Sequence, residues 1–201
     1  MGNRLILASQ SPRRYELLKQ VGLDFDVIPS RIEEDYIKGE SPRSHVLRLA
    51  EAKALDVGSK HPDCWVVTAD TIVYVDHSIL GKPKDREEAT RMLRRLSGKE
   101  HQVLTGISVL CLKKDKRDRE AVRTAVKFKE LAQTEIEWYI RTGEPYDKAG
   151  GYAIQGMGSL MIESIKGSYT NVVGLPLCEL IEMLKRLGAV RVAHCKLKIE
   201  T

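Results

Sequence analysis

The sequence predicts an α/β protein built on a mixed β-sheet, and three observations support this fold class. Short apolar runs typical of strands alternate with amphipathic patterns typical of helices along most of the chain. Two strand-like runs are joined directly by a charged segment, as in a hairpin, whereas others are separated by a helix, as in a crossover. A chain of 201 residues, 42% of them hydrophobic, is long enough for one core or for two lobes that share a sheet.

The first predicted elements are a strand and a helix that follow each other closely. The strand is the apolar run Leu5–Leu7. Ser11 is a typical N-cap residue and Pro12 suits the first helical position, so we expect a helix that starts there and ends at Gly22. A second short strand is predicted over Phe25–Ile28.

A second helix and a long buried strand come next. Ser41 and Pro42 mark the start of the helix. Its apolar stripe contains one lysine and consists of Val46, Leu49, Ala50 and Lys53. The run Trp65–Val75 is rich in β-branched and aromatic residues and predicts a buried strand, although Asp70 lies in its middle.

A third helix precedes the predicted hairpin. Asp85 and Glu88 form the pattern of a capping box, and Gly98 ends the helix. Two strands follow, over 103–112 and 121–128, and the charged run "KKDKRDR" between them is interpreted as the hairpin loop.

The last part of the chain predicts two more helices with one strand between them. Thr134 and Glu137 form a capping box for the first of these helices, which stops at Gly143. The glycine-rich segment "DKAGGYAIQGMGS" leads to a strand over Leu160–Ile165. The final helix carries an apolar stripe of Leu177, Leu180, Ile181, Leu184 and Leu187.

Composition narrows the classes of function. A net charge of +5 suits an anionic partner, whether a nucleic acid, a nucleotide or an acidic metabolite. The four cysteines are scattered without CxxC spacing, so reduced thiols in the cytoplasm are expected. No apolar run approaches the ~20 residues of a membrane span. The P-loop, GxGxxG, HExxH and GxSxG motifs are absent, and His101 is interpreted as a polar turn residue.

Several charged residues occupy positions where charge is costly. Arg13 and Arg14 lie in the first turn of the first helix, where they are either solvated or bind an anion together with backbone N–H groups. Asp70 interrupts a buried run, so it needs a lysine, an arginine or a metal unless it reaches water at a bulge. Lys53 lies on an apolar stripe, and the alternative there is a side chain that extends to solvent.

Two further positions complete this set. Lys82 precedes Pro83 and is either a loop lysine or part of the site, and the pair Glu33 and Glu34 is either solubilising or functional. Taken together, arginines at a helix start, lysines on separate segments and carboxylates from two segments predict a site for polyphosphate plus a divalent metal.

Four motifs in register resemble those of the Maf family of nucleoside triphosphate pyrophosphatases. They are "LASQSPRRYELL", "TADTIVYVDHSILGKPKDREEATRMLRRLSGKEHQVLTG", "EPYDKAGGYAIQG" and "GSYTNVVGLPL". The likeness extends from Leu5 to about Leu187, so residues 1–188 are taken as a single domain and 189–201 as a C-terminal extension without a functional interpretation.

The resemblance implies a fold, a reaction and an assembly. The implied fold is an elongated mixed sheet with flanking helices, similar to that of the inosine triphosphate pyrophosphatases, with two lobes around a deep cleft. The implied reaction releases a monophosphate and pyrophosphate from a nucleoside triphosphate with a divalent metal, Mg²⁺ or Mn²⁺. A homodimer is the usual assembly of the family.

The resemblance also implies roles for particular residues. Asp70 matches the catalytic acidic residue, described in the family as the proton acceptor. The positions that match phosphate contacts are Ser9, Arg14, Lys53 and Lys82. The acidic positions near the metal are matched by Glu33 or Glu34, together with Asp70. The residues that separate subgroups read Arg13, Thr71 and Gln155, a combination similar to the branch that acts on dTTP and UTP rather than on methylated guanine nucleotides.

The sequence therefore predicts a cytoplasmic pyrophosphatase of pyrimidine nucleoside triphosphates, without a membrane or a stable nucleic-acid partner. One alternative is the same chemistry on methylated guanine nucleotides. The other is a nucleic-acid-binding regulator, for instance of cell division, which the net charge of +5 permits. Such a protein is expected to interleave aromatic with basic residues, yet aromatic residues make up only 5% of this chain.

Overall fold

The computed structural model describes residues 4–193 and 196–200. Within these residues the strands are β1 (Leu5–Leu7), β2 (Asp26–Val27), β3 (Trp65–Val75), β4 (Ser78–Leu80), β5 (Glu100–Cys111), β6 (Lys116–Phe128), β7 (Ile162–Lys166), β8 (Val190–Ala193) and β9 (Lys196–Ile199). The α-helices are α1 (Pro12–Gln20), α2 (Pro42–Gly58), α3 (Arg86–Leu96), α4 (Gln133–Arg141), α5 (Tyr169–Val173) and α6 (Leu177–Leu187).

Seven of the strands form one mixed sheet in the order β2-β1-β3-β5-β6-β7, with β4 paired to β3. Strand β1 is parallel to both β2 and β3, whereas β4 is antiparallel to β3 and β7 is antiparallel to β6. Strands β8 and β9 form a separate antiparallel pair, which lies in the described part of the segment beyond residue 188. The predicted α/β fold with a mixed sheet is confirmed.

The chain divides into two compact units. The first contains the residues up to Asp70, the range Thr105–Val122 and the residues from Gly174 onward. The second contains Thr71–Leu104 and Arg123–Val173. Each unit has its own apolar cluster, and each contains one of the two tryptophans of the chain.

The two tryptophans differ in their surroundings. Trp65 begins β3 in the first unit and is fully buried at 0% exposure, whereas Trp138 on α4 in the second unit is 47% exposed. Trp65 therefore belongs to the packed interior of its unit, and Trp138 lies at the surface of the other.

The starts of the helices follow their sequence signals to different degrees. The side chain of Ser41 accepts a hydrogen bond from the N–H of Ser44 at 3.1 Å, so α2 starts as predicted. The Asp85 carboxylate caps α3 by accepting from the N–H of Glu88 at 2.8 Å. The Glu88 carboxylate does not complete the box, because it accepts from the N–H of Lys84 instead.

The predicted start of α4 is wrong by two residues. The residue before the helix is Ala132, whose N–H donates to the Glu135 carboxylate at 2.9 Å. Thr134 lies inside the first turn, and the carboxylate of Glu137 accepts from the side chain of Gln133 at 2.7 Å. The glutamate three residues after Ala132 therefore sets the start, without a hydroxyl at the N-cap.

The observed hairpin loop is shorter than the predicted one, which comprised the whole charged run. The chain turns through a short 3₁₀ segment at Leu112–Lys114 and a left-handed residue, Asp115, with φ of 49°. Strand β6 then begins inside the run. The charges of this part of the strand are paired, because Arg119 contacts Glu51 and Asp118 binds Arg186, so a charged sequence is accommodated in an extended strand.

His101 is not the polar turn residue that the sequence suggested. It lies on β5, is 1% exposed, and its Nε2 is 2.7 Å from the hydroxyl oxygen of Tyr152. Its ring packs edge-on against Phe128 and Tyr152, with centroids 5.0 and 5.3 Å apart. Burial lowers the pKa of His101 to about 4, so the ring is neutral at pH 7.

We expect the free energy of unfolding to fall as the pH decreases from about 6.5 to about 4, because the unfolded His101 takes up a proton that the buried ring does not. The loss would be roughly 3 kcal/mol for a pKa difference of this size. Urea denaturation at several pH values measures it. The variant His101→Gln should lack this component, and equal pH dependence in both proteins would contradict the assignment.

No helix in the described part of the chain is long and apolar enough to cross a membrane. Among the cysteines that the structure describes, Cys64, Cys111 and Cys178 are free, as expected from their spacing.

Candidate active site

The turn between β1 and α1 is organised around one hydroxyl and one guanidinium. Ser9 is buried, and its Oγ accepts hydrogen bonds from the N–H of Ser11 at 3.2 Å and from Nη1 of Arg14 at 3.3 Å. Nε of Arg14 donates to the carbonyl oxygen of Gly174 at 2.7 Å. The guanidinium is therefore fixed beside the first turn of α1 instead of extending into water.

The electrostatic surroundings of Arg14 identify the groups near it. Burial lowers the pKa of Arg14, the carboxylates of Asp70 and Glu34 act in the opposite direction, and the charge of Arg13 adds to the lowering. The guanidinium remains charged in any case. Arg13 is half-buried in the same turn of α1. Two carboxylates from separate segments thus act on Arg14, for which an anion site was one of the two interpretations of the sequence.

The centre of the site is a buried lysine held by two carboxylates. Nζ of Lys53 is 2.7 Å from Oδ1 of Asp70 and 2.6 Å from Oε1 of Glu34. Lys53 and Asp70 are 7% and 4% exposed, so Lys53 does not extend to solvent and Asp70 does not reach water at a bulge. The prediction that Asp70 is paired with a cation is confirmed, and the cation is a lysine.

The packing of α2 on β3 explains this pairing. Thr68 and Asp70 are two residues apart on a strand and therefore project from the same face. Oγ1 of Thr68 donates to the carbonyl oxygen of Ala50 at 2.6 Å, while Asp70 binds Lys53, which follows Ala50 by three residues on the helix. Two successive polar groups of the strand thus bind two successive turns of the helix.

A second group of charges anchors the loop that carries Glu34. Nε and Nη2 of Arg48 bind the two carboxylate oxygens of Glu40, each at 2.7 Å, and Nδ1 of His45 lies 3.1 Å from Oε2 of Glu40. Nη2 of Arg48 also donates to the carbonyl oxygen of Asp35 at 2.9 Å. We call Glu40, His45 and Arg48 the Glu40 clamp. It fastens the loop to α2 on the C-terminal side of Glu34.

The carboxylate of the clamp is held in its ionised form. The hydrogen bond from Arg48 lowers the pKa of Glu40 to about 2, and that from His45 adds to this effect, although burial opposes it. The Glu40 clamp was not predicted from the sequence. One signal was present, because His45 and Arg48 are three residues apart and therefore share one side of the helix.

The remaining residues of the predicted site belong to the second unit or are exposed. Thr71 follows Asp70 directly on β3 and is half-buried, and Glu33 is exposed beside Glu34. Lys82 is exposed between β4 and α3, and Gln155 is exposed in a bend after the glycine-rich segment.

Within the second unit, the turn that carries Lys82 contacts the glycine-rich segment. The N–H of Gly150 donates to the carbonyl oxygen of Gly81 at 2.9 Å. Gly150 has φ of 70°, and a Cβ there would lie 2.8 Å from Cγ2 of Val73, so only glycine fits without displacing the strand. The motifs around Lys82 and before Gln155 are thereby linked through their backbones.

The carboxylates of Asp70 and Glu34 are the candidate protein ligands for a metal ion at this site. The described residues contain no group of three or more His, Cys, Asp or Glu side chains arranged for a metal ion. The carboxylates of Asp70 and Glu34 nevertheless converge on one point, since both contact Nζ of Lys53. Mg²⁺ in phosphate-processing sites is bound by one or two carboxylates together with substrate phosphates, and this pair fits that pattern.

Comparison with known proteins shows similarity over nearly the whole chain. The model of the Maf-like protein family matches residues 4–187. A dTTP/UTP pyrophosphatase of Syntrophus aciditrophicus (strain SB) is 52% identical over 187 residues, which cover 93% of this chain and 91% of the relative. A dTTP/UTP pyrophosphatase of Clostridioides difficile (strain 630) is 48% identical over 190 residues, which cover 94% of this chain and 98% of the relative.

Similarity to solved structures is more distant. The Ham1 protein of Staphylococcus aureus is 17% identical with a TM-score of 0.44, and the match covers 80% of each chain. A nucleoside-triphosphatase (dITP/XTP pyrophosphatase) of Mycobacterium abscessus is 12% identical with a TM-score of 0.43, and the match covers 91% of this chain and 95% of the other.

Proposed function

Because the chain belongs to the Maf-like protein family, we propose that it hydrolyses dTTP and UTP to the nucleoside monophosphate and pyrophosphate. The observation that carries this proposal is the buried Lys53 between Asp70 and Glu34, with Arg14 in electrostatic contact with both carboxylates. Curated relatives about half identical to this chain are named for the same activity, which supports the proposed substrates.

The site residues of the first unit each have a proposed role in the attack of water on the α-phosphorus. Asp70 orients the water and accepts its proton, since a carboxylate is the available base there. Lys53 and Arg14 stabilise the negative charge that develops on the departing pyrophosphate. Ser9 holds the guanidinium of Arg14 through its hydroxyl. Lys82 of the second unit is assigned a phosphate contact on the basis of the sequence resemblance.

We expect Asp70 and Glu34, with Glu33 as the neighbouring alternative, to provide the protein ligands of a divalent cation. When bound, Mg²⁺ or Mn²⁺ neutralises charge on the triphosphate and lowers the pKa of a coordinated water. Since the Glu34 side chain is 48% exposed and that of Asp70 only 6%, Glu34 can leave Lys53 more readily when a ligand arrives.

The proposed function is tested by a panel of canonical and modified nucleoside triphosphates with Mg²⁺ and Mn²⁺. The products are separated and quantified. The expected result is monophosphate and intact pyrophosphate, with dTTP and UTP as the preferred substrates. Orthophosphate as the primary product would contradict the reaction. Salt-sensitive DNA binding without turnover of any triphosphate would favour a nucleic-acid-binding protein instead.

Gln155 is proposed to read the base, because a primary amide offers one donor and one acceptor, which match N3–H and O4 of uracil or thymine. We expect Gln155→Glu to lower kcat/KM for dTTP and UTP about 10-fold or more, since a carboxylate cannot donate to O4 and an unmade hydrogen bond costs roughly 1–3 kcal/mol. GTP, whose N1–H and amine both donate, should lose less.

The matched control for this substitution is Gln20→Glu, which makes the same chemical change at an exposed position at the end of α1. It should leave the ratio of UTP to GTP turnover as in the wild type. If Gln155→Glu also leaves that ratio unchanged, Gln155 does not contact the base.

We further propose a cytoplasmic homodimer in which residues 1–188 form the catalytic domain and 189–201 an extension. The family match to residues 4–187 and the free thiols of Cys64, Cys111 and Cys178 support this proposal. The dimer itself is implied by the sequence resemblance, and light scattering measures it directly.

A further inference from the structure

The bend that carries Gln155 has little regular structure to hold it. Ala153 is buried, Ile154 is half-buried, and Gln155, Gly156 and Met157 are exposed, before a short 3₁₀ turn over Met157–Met161. A side chain that selects among bases must be held in place, because a displacement of about 1 Å in a binding or reacting group costs up to about 10²-fold in rate. The contacts that fix this bend are therefore of functional interest.

Two side chains bind both ends of the bend. The hydroxyl oxygen of Tyr139 accepts a hydrogen bond from the N–H of Ala153 at 3.3 Å, and the hydroxyl donates to Oε1 of Glu144 at 2.8 Å. Oε1 and Oε2 of Glu144 accept from the N–H groups of Gly158 and Met157, each at 3.1 Å. We call Tyr139 and Glu144 the Glu144 brace.

The backbone approaches the brace so closely that side chains are excluded. Gly156 has φ of 96°, and a Cβ there would lie 2.7 Å from Oε2 of Glu144. A Cβ at Gly158 would lie 2.5 Å from the carbonyl oxygen of Ala153 and 2.8 Å from the hydroxyl oxygen of Tyr139. The carboxylate of Glu144 thus explains Gly156, and the close approach of the Ala153 backbone and of the Tyr139 phenol explains Gly158.

The carboxylate of Glu144 is held in its ionised form, which strengthens the hydrogen bonds that fix the bend. Burial opposes ionisation of Glu144, yet the hydrogen bonds from Tyr139, Gly158 and Met157 outweigh it, so its pKa lies below the ordinary value. Hydrogen bonds to an ionised acceptor are stronger than neutral ones. Tyr139 is 1% exposed on α4, so the brace connects the bend to a rigid, buried position of the second unit.

We propose that Glu144 is a positioning residue for base selection, which acts by holding the bend so that Gln155 faces the pyrimidine ring. The inference rests on the proposed function, since it assumes that Gln155 contacts the base. Glu144 itself touches the backbone of the bend and not the substrate. A nucleotide whose base is not read by Gln155 should therefore be little affected by a change at Glu144.

The test replaces one oxygen of the brace. In Glu144→Gln the amide oxygen can still accept from Gly158 and Tyr139, but the amide nitrogen meets the N–H of Met157, and two donors repel. We expect KM for UTP to rise about 10-fold, with kcat within about threefold of the wild-type value. The ratio of UTP to GTP turnover, compared as kcat/KM for each nucleotide, should therefore fall. Tyr139→Phe, which keeps the buried ring, should change the ratio in the same direction. Glu163→Gln, at an exposed position on β7, is the matched control.

A double-mutant cycle decides whether Glu144 acts through Gln155. In a Gln155→Ala background, Glu144→Gln should no longer change the ratio of UTP to GTP turnover. An unchanged ratio in both single variants, Glu144→Gln and Tyr139→Phe, or the same decrease with and without Gln155, would overturn the inference while leaving the proposed function intact. Absence of triphosphate turnover in the wild-type protein would overturn the proposed function and this inference with it.

Discussion

The variant Asp70→Asn is expected to lower kcat for UTP by about 10²-fold or more, because it removes the proposed base and a proposed metal ligand. The fold should be retained. Asparagine keeps the shape of the side chain, its oxygen can still accept from Nζ of Lys53, and Lys53 keeps its contact with Glu34. Lys53 therefore keeps one carboxylate partner, which limits the stability loss that follows when a buried ion pair is broken.

Steady-state hydrolysis of UTP and urea denaturation measure the two effects separately. The matched control is Asp24→Asn, which removes the same charge at an exposed position between α1 and β2. Turnover near that of the wild type in Asp70→Asn would remove Asp70 from the mechanism. A large loss of stability would instead show that the carboxylate charge holds Lys53 in place.

Replacing Lys53 by methionine is expected to lower both activity and stability. Methionine fills similar space without charge, so Asp70, at 4% exposure, loses the ammonium that lies 2.7 Å away. Removal of one partner from a buried ion pair costs about 3 kcal/mol or more. We also expect kcat/KM for UTP to fall by about 10²-fold or more, because the charge proposed to stabilise pyrophosphate is lost.

Urea denaturation of the single and double variants identifies the cause of the stability loss. The double variant Lys53→Met with Asp70→Asn should be more stable than Lys53→Met alone, since it removes the unpaired charge. Lys60→Met is the control, because Lys60 pairs with Asp56 at 2.6 Å but its side chain is 59% exposed, and exposed pairs contribute little. Equal losses in Lys53→Met and Lys60→Met would contradict the assignment.

The parts of the fold that were predicted correctly are those in which burial and sequence pattern coincide. The bounds of β3, Trp65–Val75, follow from a continuous apolar run. The pairing of Asp70 with a cation was predicted for the same reason, since a charge on a buried strand needs a partner, and the structure pairs it with Lys53. The start of α4 was mispredicted, because the local capping pattern at Thr134 competes with the one set by Glu135.

The residues that the sequence did not reveal depend on tertiary contacts. Glu40 and Arg48 carry charges that a sequence pattern cannot distinguish from solvated ones, and only the path of the loop brings them together. Glu144 is similar, because its partners are backbone N–H groups of a bend that lies more than ten residues further along the chain. His101 was misassigned because its neighbour in the core, Tyr152, is remote in sequence.

The unequal burial of the two tryptophans has a consequence for spectroscopy. A buried indole emits at a shorter wavelength than one in contact with water, so Trp65 and Trp138 contribute different bands to the intrinsic fluorescence. The short-wavelength band reports on the first unit, which contains Asp70 and Lys53, and the long-wavelength band reports on the second, which contains Gln155. Selective quenching of Trp138 by iodide therefore leaves an optical signal that follows the unfolding of the first unit alone.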